Sequence, residues 1–137
     1  KMRWAIQDRF TEGYERVVII GSDSPSLPVA YIYRAVGSDK DMVLGPSTDG
    51  GYYLIGMREK VVEVFKDVNW GTETVLQETC EHLVQNGASL ELLPVWYDVD
   101  TPEDLKFFKT HLKLIEKSGF RLFGETGKLL NEILASH

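Results

Sequence analysis

Val17-Val18-Ile19-Ile20-Gly21-Ser22-Asp23-Ser24-Pro25 sets the class of this chain. Four consecutive β-branched residues form a short continuous apolar run, the pattern of a strand buried on both faces in a parallel sheet. A Gly-Ser-Asp turn follows at its carboxyl end. Upstream, Met2, Ala5, Ile6 and Phe10 recur at helical spacing, and Gly13 closes that helix. Downstream, the pattern predicts a helix from Pro28 to Val36, ended by Gly37-Ser38. Met42 to Leu44 and Tyr52 to Met57 read as two strands, and Lys60 to Phe65 as a short helix. Trp70-Gly71-Thr72 leads into a helix running to Gln85, with Thr72 or Thr74 as its cap and Asn86-Gly87 as its stop. Leu90 to Val99 is the last predicted strand.

Thr101-Pro102-Glu103-Asp104 is a helix start with a mechanism. Thr101 suits the N-cap, Pro102 the first helical position, and Asp104 can reach back to the cap amide. Leu105, Phe108, Leu112 and Ile115 mark one apolar face, and a final helix carries Leu129, Leu130, Ile133 and Leu134. Strands alternating with helices predict a single α/β domain over residues 1–137, with 106–137 as a helical tail.

Composition narrows the function. A net charge of −6 argues against a sequence-independent grip on nucleic acid, which needs clustered Lys and Arg. It leaves room for a phosphorylated small molecule held through a divalent cation that carboxylates bind first. Cys80 is the sole cysteine, so neither an intrachain disulfide nor a zinc cluster is expected, and a reducing, cytoplasmic setting fits. No run is apolar enough for a membrane span, and none reads as a signal peptide. The chain begins with Lys1 inside its first helix, as a fragment of a longer protein would.

The acids at strand ends carry the chemistry. Asp23 follows a buried strand, where ligands of open α/β sheets gather. It can hold Mg²⁺ or Mn²⁺ on a phosphate oxygen, or cap the next helix. Asp98 and Asp100 end the last strand two residues apart, so both carboxylates point the same way and can face one ion. Compensating the amino end of the following helix is the plainer role, but needs only one of them.

Asp49, in Gly45-Pro46-Ser47-Thr48-Asp49-Gly50-Gly51-Tyr52-Tyr53, suits a general base, a holder of acceptor hydroxyls, or an Asx-type turn feeding the glycines. Gly50 and Gly51 mark a tight backbone or a close approach to a ligand, and Ser47 and Thr48 add hydroxyls. Trp70, in a loop, either stacks on a base or sugar or plugs the edge of the core. One of Tyr52 and Tyr53 belongs to the core. His82 and His111 lack partners at metal spacing and read as surface or packing residues. No Walker phosphate loop, GxGxxG fingerprint or GxSxG elbow occurs.

Residues 17–27 resemble the metal-binding strand end of GT-A-type nucleotide-diphospho-sugar transferases and of MobA-like nucleotidyltransferases. Asp98-Val99-Asp100-Thr101-Pro102-Glu103-Asp104-Leu105 is similar to the closing motif of that superfamily. Gly45 to Gly56 and Trp70-Gly71-Thr72-Glu73-Thr74-Val75-Leu76 resemble the DUF2064 group, and the four motifs run in the group's order from Met2 to Leu105.

The resemblance implies a partial GT-A-like sheet flanked by helices, corresponding to the carboxyl-terminal half and lacking the nucleotide-binding strands that precede it. It implies a metal-dependent glycosyltransferase that takes a nucleotide sugar and a small-molecule acceptor. A nucleotidyltransferase releasing pyrophosphate, or a non-catalytic module, are the alternatives. It assigns the divalent cation to Asp23 with Asp98 or Asp100, and the acceptor side to Asp49 with Gly50 and Gly51. Ser22, Ser47, Thr48 and Trp70 join the substrate-binding set. Gly21 stands where the first acid of the Asp-X-Asp pattern would be. The apolar tail suits a homo-oligomer contact through the C-terminal helices.

Overall fold

Alternating β-branched and aromatic runs give this chain a sheet with an apolar layer on each face. The computed structural model describes residues 1–119. Its elements are α1 (Met2–Thr11), β1 (Arg16–Ile20), α2 (Val29–Gly37), β2 (Met42–Pro46), β3 (Tyr52–Arg58), α3 (Val75–Asn86), β4 (Leu90–Leu92) and α4 (Pro102–Lys117). The strands form one sheet in the order β1-β3-β2-β4. β3 runs antiparallel to both β1 and β2, and β4 pairs parallel with β2. The α/β class read from the sequence holds.

Side-chain alternation divides the core. Met42, Leu44, Ile55 and Met57 face a layer that holds Ile6 of α1 and Leu83 of α3. Val43 and Leu54 face the other way, with Ala35 of α2 and Leu93. The β2–β3 register shifts at Gly45/Pro46, where Gly45 pairs with Leu54 and Pro46 with Tyr52. Tyr53 is thereby turned to the α2 side, where its ring is buried and its hydroxyl donates to Pro94 O at 2.9 Å. Of the two tyrosines, Tyr53 is the core residue and Tyr52 is half-buried.

Three expectations about elements are corrected. β1 was expected in a parallel sheet with both faces buried. Its partner is antiparallel, and burial falls from Val17 to an exposed Ile20. A continuous apolar run records contact with apolar groups and carries no information on strand direction. The short helix expected over Lys60 to Phe65 is irregular chain instead, with a bend at Glu63. Val62 and Val64 are buried while Glu63 is exposed, a period of two that β-branched residues favour. The last strand stops at Leu92 rather than Val99: Leu93 N still donates to Leu44 O at 2.9 Å, but the next β2 residue in the ladder is Pro46, which has no amide to return a bond. Ser47 and Trp96 form one isolated parallel bridge beyond it.

Helix ends are mixed. Gly87 closes α3 in the left-handed conformation, as Asn86-Gly87 predicted. Thr74 occupies the N-cap of α3 but makes no side-chain cap, and the Thr72 hydroxyl donates to Asn69 O at 2.6 Å.

α4 begins with the expected capping box. Thr101 Oγ1 accepts from the Asp104 amide at 3.1 Å, and Asp104 Oδ2 accepts from the Thr101 and Asp100 amides. Those backbone bonds hold the Asp104 carboxyl below its ordinary value. Its contribution is therefore present above the usual carboxylate range and lost as pH falls through it. Thr101→Ala should cost about 1 kcal/mol in urea unfolding with an unchanged m-value; no loss would mean that tertiary packing alone sets this helix start.

Phe108 and Leu112 bury α4 against Tyr97 and Val99. The helix expected at Leu129–Leu134 lies outside the described residues. Among the described residues, no helix is long and apolar enough to cross a membrane.

Candidate active site

Three loops meet at one end of the sheet, and backbone hydrogen bonds hold them in register. The loop after β1 is joined to β3 by Gly21 N donating to Tyr53 O at 2.8 Å. It is joined to the 96–100 segment by Val99 N donating to Asp23 O at 2.7 Å. The loop after β2 folds on itself, Ser47 N donating to Gly51 O at 3.0 Å. It then reaches the same segment through Thr48 N to Trp96 O at 3.0 Å. Side chains add a second layer. Ser24 Oγ donates to Asp98 Oδ1 at 3.0 Å, Ser26 Oγ to Tyr97 Oη at 2.9 Å, and Trp96 Nε1 to Ser26 Oγ at 3.1 Å.

This stitching gathers acids distant in sequence. Carboxylate oxygens of Asp49, Asp98 and Asp100 all lie within 4.8 Å of one another. Asp98 is partly buried, and its carboxyl is pushed up to about 6. Desolvation is the main cause, followed by a hydrogen bond with Asp49, with the charges of Asp49 and Asp100 adding to it and the bond from Ser24 opposing. Asp100 is exposed; it is held above its ordinary value by desolvation, then by the charges of Asp23, Asp49 and Asp104.

The ion pairs among the described residues join Arg3 to Glu63, Arg9 to Glu12, Arg34 to Glu91, Lys40 to Asp39 and Arg58 to Glu59. None reaches Asp23, Asp49, Asp98 or Asp100. A cluster of hard oxygen donors with unmatched negative charge fits the chemistry of Mg²⁺ or Mn²⁺.

The grouping differs from the one expected. Asp23 lies beside the trio rather than in it: its charge acts on Asp100, while its peptide oxygen is taken by Val99. It does not cap α2, whose N-cap is Pro28. Ser22 turns its hydroxyl to Asp23 Oδ1 at 3.5 Å. Asp49, expected on the acceptor side, stands with Asp98 and Asp100, and it also makes the Asx turn, accepting from Gly51 N at 3.0 Å.

The two glycines of the loop have separate reasons. Gly50 has φ +90°, and a Cβ there would sit 2.3 Å from Glu73 O; its own carbonyl accepts from Leu76 N at 2.9 Å. The close approach is thus to the start of α3, which clamps the loop. Gly51 lines a cavity of about 600 Å³ together with Asp49, Ile19, Tyr52, Trp70 and Glu73. Asp49 is shared by the carboxylate trio and this cavity. Trp70 plugs the edge of the core, packing on Tyr52 and Phe65 at centroid distances of 6.4 and 6.1 Å, while it stays 47% exposed and lines the cavity.

Sequence reasoning missed Ser24, whose hydroxyl holds Asp98, although it stands beside Asp23 in the same turn. It also missed the Tyr97–His111 contact, with Tyr97 Oη 2.5 Å from His111 Nδ1. No sequence spacing signals that pair, because α4 must dock before the two meet.

The family model described as "Uncharacterized protein conserved in bacteria (DUF2064)" matches residues 1–72, which include β1, the Gly-Gly loop and Trp70. Among solved structures, the chain is similar to the crystal structure of a "putative nucleotide-diphospho-sugar transferase" from Desulfovibrio desulfuricans G20. The two share 38% identity with a TM-score of 0.81 over 98% of this chain. The chain spans 58% of that protein's length. Among curated proteins no match is found. The α/β sheet seen here is therefore one shared with a nucleotide-diphospho-sugar transferase-like structure, and the chain belongs to the DUF2064 family.

Proposed function

We propose that this chain provides the metal and acceptor side of a divalent-cation-dependent glycosyltransferase whose donor is a nucleotide-diphospho-sugar. The observation that carries the reading is Asp49, which stands in the trio with Asp98 and Asp100 while lining the adjoining cavity. Asp98 and Asp100 hold the cation, with Asp23 adding negative potential beside them. Bound Mg²⁺ or Mn²⁺ would offset the charge that develops on the diphosphate as the nucleotide leaves.

The chain's own groups do the rest. Ser24 fixes the Asp98 carboxylate, and the Asx turn fixes Asp49. Asp49 takes the proton of an acceptor hydroxyl that enters from the cavity. The clamped 47–51 loop keeps that carboxylate in place, so orientation need not be acquired during the reaction.

The test is Mn²⁺ calorimetry combined with a transfer assay that identifies the leaving group. Asp100→Asn is expected to weaken Mn²⁺ by more than about ten-fold. Asp49→Asn should retain most Mn²⁺ affinity while lowering transfer by about a hundred-fold or more. Release of a nucleoside diphosphate supports the reading. Pyrophosphate release would replace it with nucleotidyl transfer, and unchanged Mn²⁺ affinity in Asp100→Asn would remove the metal assignment.

A further inference from the structure

We infer that the cavity beside Asp49 accepts an uncharged acceptor with an apolar face, of the glycoside or aryl alcohol class, and rejects phosphorylated or carboxylated ones. The inference rests on the glycosyltransferase reading for the word acceptor, but its own evidence is the cavity lining. Ile19 and the exposed Ile20 offer apolar surface, and Tyr52 and Trp70 offer aromatic rings. The charged side chains lining the cavity are Asp49 and Glu73, and no Lys, Arg or His joins them among the described residues. Basic groups Lys1, Arg3 and Lys66 line a neighbouring cavity that shares Met2 and Trp70, and Arg3 is already paired with Glu63.

A phosphate or carboxylate entering here would lose water beside two like charges, with no Lys, Arg or His among the described lining residues to repay the loss. Hydroxyls meet the opposite situation, since carboxylates only accept hydrogen bonds and a sugar or alcohol donates them. Trp70 is exposed enough to stack on an apolar ring face, and its contacts with Tyr52 and Phe65 hold the indole in place. The cavity volume of about 600 Å³ suits a molecule of one or two rings.

The test uses a matched pair, phenyl β-D-glucoside and phenyl β-D-glucuronide, which differ only by a carboxylate in place of a hydroxymethyl group. Binding is measured by calorimetry without donor or metal. The glucoside is expected to bind at least about ten-fold more tightly than the glucuronide. Glu73→Gln, a change at an exposed side chain, should narrow that ratio, and Trp70→Leu should weaken the glucoside by about ten-fold.

Equal affinities, a preference for the glucuronide, binding of neither probe, or a ratio untouched by Glu73→Gln would each overturn the inference. Because no turnover is read, the two readings fail separately. A protein that discriminates the pair yet transfers nothing loses the transferase reading alone. A protein that transfers sugar but favours the glucuronide loses this one alone.

Discussion

Without added metal and at about pH 7.5, Asp98→Asn protein is expected to melt about 4 °C above the wild type and to lose the thermal shift that Mn²⁺ gives the wild type. The first half follows from a carboxyl pushed up to about 6, from an ordinary 3.8, mainly by desolvation and then by its bond and repulsion with Asp49. An acid whose pKa is higher in the folded state stabilises that state in its protonated form. Its contribution is complete below the unfolded pKa and is lost as pH rises through about 6. The gap corresponds to about 3 kcal/mol, or about 1 kcal/mol once screening of a partly open group is allowed for.

Asparagine imitates the protonated acid. Its amide N–H donates toward Asp49, and its carbonyl still accepts from Ser24. The advantage over the wild type should therefore shrink as pH falls below about 6 and be gone near about pH 3, below the unfolded value of 3.8, where Asp98 is neutral in both states. The second half follows from ligand chemistry. Mn²⁺ at about a hundred times its Kd adds about 2.7 kcal/mol to the wild type, and the amide removes one anionic donor. Thermal melts across pH, with and without Mn²⁺, read both effects. A variant less stable than the wild type near pH 7.5 would show that Asp98 is a structural acid rather than one held for an ion.

Gly50→Ala is expected to lower stability by about 3 kcal/mol, whereas Gly51→Ala next to it costs under about 1 kcal/mol. At Gly50 the backbone has φ +90°, which an L side chain resists, and the new Cβ would lie 2.3 Å from the Glu73 carbonyl oxygen and 2.8 Å from its carbon. The obstacle is backbone at the start of α3 and cannot swing aside. Relief requires the loop to lift, which breaks the bond from Leu76 N to Gly50 O.

At Gly51 φ carries no such restriction, and the nearest atom to a new Cβ is Asp49 Oδ1 at 3.3 Å, the end of a side chain. Urea unfolding separates the two. Because Asp49 rides on the same loop, Gly50→Ala should also weaken Mn²⁺, while Gly51→Ala leaves it within about three-fold. Equal costs for the two variants would mean that the loop is not clamped by α3.

Local chemistry was legible without a fold. The capping box of Thr101 and Asp104, the Gly87 stop and the Asx turn at Asp49 are each written within a few residues, and each forms as read. Short-range sterics and hydrogen bonding decide such features wherever the segment lies. The strand runs were equally plain, but their direction was not. Val17 to Ile20 reads the same against a parallel or an antiparallel partner, and only the pairing of β1 with β3 tells them apart. Val61 to Phe65 shows the opposite failure, where a segment short enough for either structure was settled by burial of alternate valines.

The site divides the same way. By itself the sequence determined the α/β class, the capping box of α4 and the Gly87 stop of α3, and the supply of loop acids: Asp23, Asp49, Asp98 and Asp100. The tertiary structure alone decided which of them share a site. Bonds from Thr48 to Trp96 and from Ser24 to Asp98 draw residues 49 and 98 together, and leave Asp23 beside the trio rather than within it. The physical reason is range. Backbone preference and capping act over one turn of chain, whereas the raised pKa of Asp98 and the cavity beside Asp49 exist only once three separate loops have packed against one another.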